Sequence, residues 1–389
     1  MKQTLCRKLL TTGTLLCMLP PLLSAENTNT QLNISPAIQT NLERMLKYMK
    51  TLFDADEIIA GVMESKTGKV LALASSNPYD LHKIMHKEMP PLKQKFSAYP
   101  YEPGSVMNPI TLALALDSEV VTPNTRFNTY NGEMTIGEGQ WITDDDKFES
   151  LTATDIIVHS SNIGISEISW KLTGKKFREG LVKFGFSKQS GIDLASDSPG
   201  DIKALHFLDN KMHRANTSFG YGMQTTFTQL LKAYSVFNNA GVMVTPKLTM
   251  SNNKDVKQVV SKKTANQIHD ILKDVVKRGF GVKAQYEGLE IGGKTGTAHI
   301  AKNGRYVREY HSSFYGFAND KMGNKYTIGV LVIRAKKKYK YFASQSAVPT
   351  FKNVVEILVE DKKLYPNAEI AKKMLEIDMS GVTPRTSPM

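Results

Sequence analysis

The chain has 389 residues, 41% hydrophobic and 22% charged, an ordinary globular composition with enough apolar material for a large core. Lysine and arginine number 50 against 37 acidic residues, and the formal net charge of +13 suits contact with anionic surfaces. Both cysteines, Cys6 and Cys17, fall within the first 25 residues, which excludes a disulfide framework and thiol catalysis from the rest of the chain.

Lys2, Arg7 and Lys8 precede an apolar run from Leu9 to Leu23 that ends in Leu-Leu-Ser-Ala. Such a segment predicts a secretory signal peptide over residues 1–25, with an uncleaved N-terminal anchor as the alternative. Either reading exports the bulk of the chain, and nucleic acid drops out as a partner. Residues 26–57 read as a linker and a leading helix. Ser35-Pro36 is an N-cap and first-turn proline, and Ile38, Leu42, Met45, Leu46 and Met49 recur at helical spacing, so an amphipathic helix is expected over 36–53. "IIAGVMESKTGKVLALASS" predicts two apolar strands around a tight turn at Lys66–Gly68.

The stretch from about 105 to 280 is mostly helical pattern broken by Gly and Pro loops. Strand signals then return. "GLEIGGKTGTAHIA" and "RYVREYHSSFYGFA" flank Asn303-Gly304, a hairpin signal, and "KYTIGVLVIRA" follows as a third strand. "KKKYK", Lys336 to Lys340, reads as a solvated loop between strands, and residues 348–360 as a closing helix. The tail 361–389 is expected to be partly disordered. Strands at both chain ends and helices between them predict an α/β (α+β) fold, with one antiparallel sheet assembled from both ends and a helical subdomain inserted.

Three short motifs could carry chemistry. Ser105 lies in "EPGSVMN", just after a Pro-Gly turn and at the start of an apolar helix. There the free N–H groups and the positive end of the helix dipole favour a developing oxyanion. "HSSN", His159 to Asn162, joins two helical patterns, and "KTGT", Lys294 to Thr297, lies inside the strand before the hairpin. Each has an ordinary reading on its own: a serine N-cap, a helix-linking turn, a chance tripeptide. Their order and context together make the signal. Asp144 to Asp146 lack the partners of a calcium loop and read as a solvated turn, and Trp141 and Trp170 as packing residues. Metal, nucleotide and lipase-type motifs do not occur, and no cofactor is expected.

The set resembles the serine, Ser-x-Asn and Lys-Thr-Gly motifs of penicillin-binding proteins and serine β-lactamases. "GVMESKTGKVLALASSNPYD", "YEPGSVMNPITLALAL", "LTATDIIVHSSNIGIS", "KFGFSKQSGIDL", "SFGYGMQTTFTQLLKAYSVFNNAG" and "GGKTGTA" are similar to the transpeptidase domain of the class B proteins. The resemblance places that domain at 58–360, and the non-catalytic module that usually precedes it is expected to be absent. It implies that Ser105 attacks the D-Ala-D-Ala bond of a peptidoglycan stem peptide and forms an acyl-enzyme. Ser160 would shuttle a proton to the leaving amine, and Asn162 would hold the substrate amide. Lys294 would keep the local field positive. Thr295 and Thr297 would bind the substrate carboxylate, Gly296 would leave room beside the strand edge, and the N–H groups of Ser105 and Thr297 would form the oxyanion hole. β-Lactams are implied ligands, cell-division or elongation membrane proteins possible partners, and the periplasm or outer face of the cytoplasmic membrane the location.

The departure is Asn108. The family pattern is Ser-x-x-Lys, and the lysine is the base for the hydroxyl. An amide cannot accept that proton at neutral pH. Loss of the positive neighbour is expected to raise the pKa of Lys294 and make it a poorer substitute base. His159 adjoins Ser160, but nothing in the sequence aims it into a cleft. A literal Ser-x-x-Lys occurs at Ser251 to Lys254, in a polar stretch with no apolar helix behind it. Three functions therefore stay open: a D,D-transpeptidase with impaired catalysis, a non-catalytic relative that binds cell-wall peptide or a partner protein, and a β-lactam sensor or hydrolase.

Overall fold

A computed structural model describes residues 31–77, 95–137, 139–250, 255–302 and 304–367. The export segment, the Ser251 to Lys254 stretch, Asn303 and most of the tail lie outside these residues.

Ser35 caps the first helix as expected, its hydroxyl accepting the Ile38 N–H, and α1 runs Pro36–Phe53. Strands β1 (Glu57–Glu64) and β2 (Val70–Ser75) follow. Strands β9 (Glu290–Lys302), β10 (Arg305–Asn319) and β11 (Lys325–Ile333) come from the other end of the chain, and the closing helix α10 (Ala347–Glu360) follows them. They form one five-stranded antiparallel sheet in the order β2-β1-β11-β10-β9, in which β1 from the N-terminal half pairs with β11 from the C-terminal half. Gly104–Met107 forms a 3-10 turn that runs straight into α2 (Asn108–Asp117).

Alternation along the strands divides the interior. Ile58, Ala60 and Val62 of β1 face a core closed by α1 and α10, with Leu42, Leu46, Phe351 and Val354. Ile59 and Met63 face the other way, into a larger core shared with the inserted helices. That insert contains α2, α3 (Ala153–Val158), α4 (Asn162–Ser169), α5 (Gly174–Lys183), α6 (Leu205–Leu208), α7 (Lys211–Ser218), α8 (Phe227–Asn238) and α9 (Lys262–Arg278). It also contains pairings that the helical pattern did not suggest: β3 (Arg126–Asn128) with β6 (Ser150–Thr152), β4 (Glu133–Thr135) with β5 (Trp141–Thr143), and β7 (Val242–Val244) with β8 (Val256–Gln258). These strands are three residues each, too short for a two-residue period to be read.

Three expectations change. Lys336–Lys340 lies between β11 and α10, not between strands, and Lys336 pairs with Asp56 at 2.9 Å. Trp141 is 61% exposed, so it is not a packing residue. Trp170 does pack, with its indole N–H donating to Lys211 O at 3.0 Å. Asp144 is not simply solvated. It accepts the Ile163 N–H at 3.0 Å and the Ser161 hydroxyl, and so holds the start of α4.

Candidate active site

Ser105 sits in the 3-10 turn before α2, and its hydroxyl caps neither that turn nor α2. This removes the simple N-cap reading. Tyr234 of α8 donates to Val106 O at 2.7 Å and holds the turn from behind. Gly104 (φ +66°) and Gly220 (φ +84°) let two backbones meet: Gly104 N–H donates to Gly220 O at 3.2 Å, and a Cβ on Gly220 would lie 2.3 Å from Gly104 O.

The turn rests on β9, the outermost strand of the sheet. Ala298 lies against Gly104, where an added Cβ would sit 3.1 Å away. A Cβ on Gly296 would lie 2.9 Å from Pro103 O and from Val106 Cγ1. Lys294 is next along the same face, since alternate residues of a strand share a face. Gly296 is thus required by the approach of the nucleophile turn itself, in addition to any room it leaves for a substrate.

"HSSN" resolves into three backbone roles. His159 ends α3, and Ser161 N–H to Ile156 O (3.0 Å) with Ser160 N–H to Ile157 O (3.3 Å) close a Schellman motif. Ser160 occupies its left-handed position at φ +58°, where glycine is the usual residue. Ser161 then caps α4, and Asn162 is the first helical residue. The Asn162 amide donates to Thr143 O of β5 at 3.0 Å. His159 packs its ring on Phe148 at 4.5 Å.

Lys294 is fully buried. Its Nζ donates to Ser160 Oγ at 2.8 Å, to Thr295 O at 3.1 Å and to Thr295 Oγ1 at 3.4 Å. Burial alone drives its pKa down to about 7. This corrects the expectation of a raised value. The missing charge at 108 was the effect legible in the sequence, whereas desolvation of the ammonium acts in the opposite direction and is larger. Asn108 is also fully buried, and neither its Oδ1 nor its Nδ2 has a hydrogen-bond partner among the described residues. The Ser105 hydroxyl makes no hydrogen bond among the described residues. Thr297 Oγ1 accepts the Ala343 N–H at 3.1 Å, which leaves its proton free to donate.

The structure therefore brings Ser105, Gly296, Lys294 and Ser160 to the middle of β9, with Thr295 and Thr297 on the same stretch and Asn162 next to Ser160 in the α3–α4 junction. Sequence reasoning missed Glu102, three residues before Ser105. Its Oε1 accepts the Gly222 N–H at 2.7 Å and the Tyr306 hydroxyl at 3.3 Å, and its Oε2 is buried without a partner. Burial raises its pKa. Tyr234 and Asp144 were missed as well, since their partners lie 128 and 19 residues away and no local pattern announces them.

A family model of the penicillin binding protein transpeptidase domain matches residues 58–356. The chain belongs to this family. It is 32% identical over 304 residues to the probable peptidoglycan D,D-transpeptidase PenA of Neisseria flavescens, covering 76% of this chain and 73% of that protein. It is 28% identical to the peptidoglycan D,D-transpeptidase FtsI of Buchnera aphidicola, covering 80% of this chain and 55% of the relative. For the stage V sporulation protein D of Bacillus subtilis the figures are 30%, 74% and 47%. The chain thus spans about half the length of the last two. Among solved structures, the apo transpeptidase domain of Burkholderia pseudomallei penicillin-binding protein 3 superposes with a TM-score of 0.77 at 26% identity, covering 88% of this chain and 99% of that one. As a penicillin-binding transpeptidase domain, this chain has the α/β fold expected from its strand and helix order.

Proposed function

We propose that this domain is an exported peptidoglycan D,D-transpeptidase that forms an acyl-enzyme at Ser105 on D-Ala-D-Ala stem peptides, more slowly than relatives with a lysine at position 108. The observation that supports this most is the 2.8 Å bond between Lys294 and Ser160, made on an edge strand against which the Ser105 turn is packed. Among the described residues β9 pairs with β10 on one side only, so an extended peptide can add to its other edge. Bound there, the penultimate carbonyl would lie between the N–H groups of Ser105 and Thr297, with Thr295 and Thr297 as hydroxyl donors for the terminal carboxylate. A second stem's amine would then resolve the ester into a cross-link, and membrane proteins of cell division or elongation would bring the donor and acceptor strands.

A second reading, a domain that holds the same peptide without acylating, is favoured by the unpartnered amide of Asn108 and the unbonded Ser105 hydroxyl. Intact-protein mass spectrometry after incubation with benzylpenicillin separates the two. An adduct of one penicillin on the natural chain, absent in Ser105→Ala, is the expected result. No adduct on the natural chain, with one on Asn108→Lys, would sink the transpeptidase reading and leave the binder.

A further inference from the structure

We propose that Lys294, acting through Ser160, is the general base that prepares Ser105, in place of the lysine that the family pattern puts at position 108. The inference rests on Ser105 being the nucleophile and assigns the proton that nucleophile must lose.

The groups around the turn leave one base. Asn108 is an amide with no partner on either atom and cannot take a proton at neutral pH. His159 is turned onto Phe148, with ring centroids 4.5 Å apart. Asp155 is bound to Arg278 at 2.8 Å, and Asp144 is occupied with the Ser161 hydroxyl and the Ile163 N–H at the start of α4. On β10, Tyr315 pairs with Lys294 in register but shares its hydroxyl with Tyr101 at 2.8 Å. Lys294 remains. It projects from the face of β9 on which the turn rests, its three acceptors are all uncharged, and no carboxylate among the described residues holds it as an ammonium. Its pKa of about 7 is set by burial alone, so a large neutral fraction is present at neutral pH.

The left-handed backbone of Ser160 supports the relay. A serine kept at a Schellman position that glycine fills without strain carries a cost in backbone energy. The hydroxyl set there is the one that meets Nζ. The Ser105 hydroxyl, unbonded in the free protein, would turn to Ser160 Oγ as substrate binds; in the forward step its proton passes to Ser160 Oγ as the Ser160 proton passes to neutral Lys294. Ser105 Oγ bonds the carbonyl carbon of the penultimate D-Ala. When the C–N bond to the terminal D-Ala breaks, Lys294 returns its proton through Ser160 to the leaving amine, which departs neutral. The ester and neutral Lys294 are left, and every proton is accounted for.

The test is the rate of benzylpenicillin acylation, followed by intact mass between about pH 5 and pH 9, for the natural chain, Ser105→Ala, Lys294→Arg, Asn108→Lys and the double variant Asn108→Lys/Lys294→Arg. Arginine keeps the positive charge but cannot act as a base. The natural rate is expected to rise with pH around a midpoint near 7 and to fall at least about 100-fold in Lys294→Arg. The double variant is expected to recover it, because the lysine introduced at position 108 then supplies the base. Acylation of Lys294→Arg within about threefold of the natural rate, or a flat natural profile, would overturn the base assignment while leaving Ser105 as the nucleophile. A double variant as slow as Lys294→Arg would assign Lys294 to substrate binding or folding and overturn it too. A natural chain without an adduct at any pH would remove both this inference and the transpeptidase reading.

Discussion

Two residues at the site sit against local energetic preference. Asn108 buries a whole amide without partners, and an unsatisfied buried polar group costs about 1–3 kcal/mol. Asn108→Val, apolar and nearer to asparagine in size than leucine is, is therefore expected to stabilise the fold by up to about that amount, read as a higher urea midpoint at unchanged slope. Ser160 holds a conformation that glycine adopts freely. Ser160→Gly is expected to raise stability by about 1 kcal/mol while cutting acylation, a separation that denaturation and penicillin-labelling rates measured on one preparation would reveal. Normal acylation by Ser160→Gly would overturn the relay through Ser160. The Ser160 case fits a site in which a chemically placed group is kept at some cost in stability.

Elements at the site are held by contacts from outside themselves. The start of α4 takes its cap from Ser161 within the chain and from Asp144 across the β5 loop. Asp144→Ala removes an acceptor for one N–H and one hydroxyl, so a loss of about 1–2 kcal/mol is expected in equilibrium unfolding. Because α4 begins at Asn162, the same variant is expected to weaken peptide binding more than Asp145→Ala, whose side chain is exposed. β9 is similarly fixed at its far end. Glu290 accepts from His269 at 2.8 Å and pairs with Lys273 at 3.0 Å, both on α9, and takes the Asn319 amide of β10 at 3.1 Å. The strand that carries Lys294 is thereby anchored four residues before it.

On the scale of the whole molecule, that anchor gives stability a pH dependence. Burial opposes the ionisation of Glu290, but the hydrogen bonds from His269, Lys273 and Asn319 outweigh it and hold the carboxyl at about 2, below its ordinary 4.5. Its stabilisation is complete above 4.5 and is lost as pH falls from 4.5 through about 2. The natural chain is expected to lose more stability over that window than Glu290→Gln, and parallel urea midpoints for the two would refute the assignment. The sheet that this anchor serves was legible in outline. The continuous apolar runs in "IIAGVMES" and "KYTIGVLVIRA", the Ser35-Pro36 start of α1 and the glycine after Asn303 are local signals, because a strand buried on both faces and a helix cap are each written over a few residues. The small strands of the insert were not legible, being three residues long and paired across loops. Ser105, Ser160, Asn162, Lys294, Thr295, Gly296 and Thr297 could be named because three motifs stand in one order along the chain, and the missing lysine at 108 is itself a fact of sequence. What Lys294 is could not be read there. Its environment is made by the Gly104–Met107 turn, the α3–α4 junction and β10 closing around it, and burial is a sum over residues far apart in sequence. The chain by itself thus determined which groups are available for chemistry, while only tertiary packing decided which of them is neutral enough to act as a base, because desolvation depends on what surrounds a charge and not on what adjoins it along the chain.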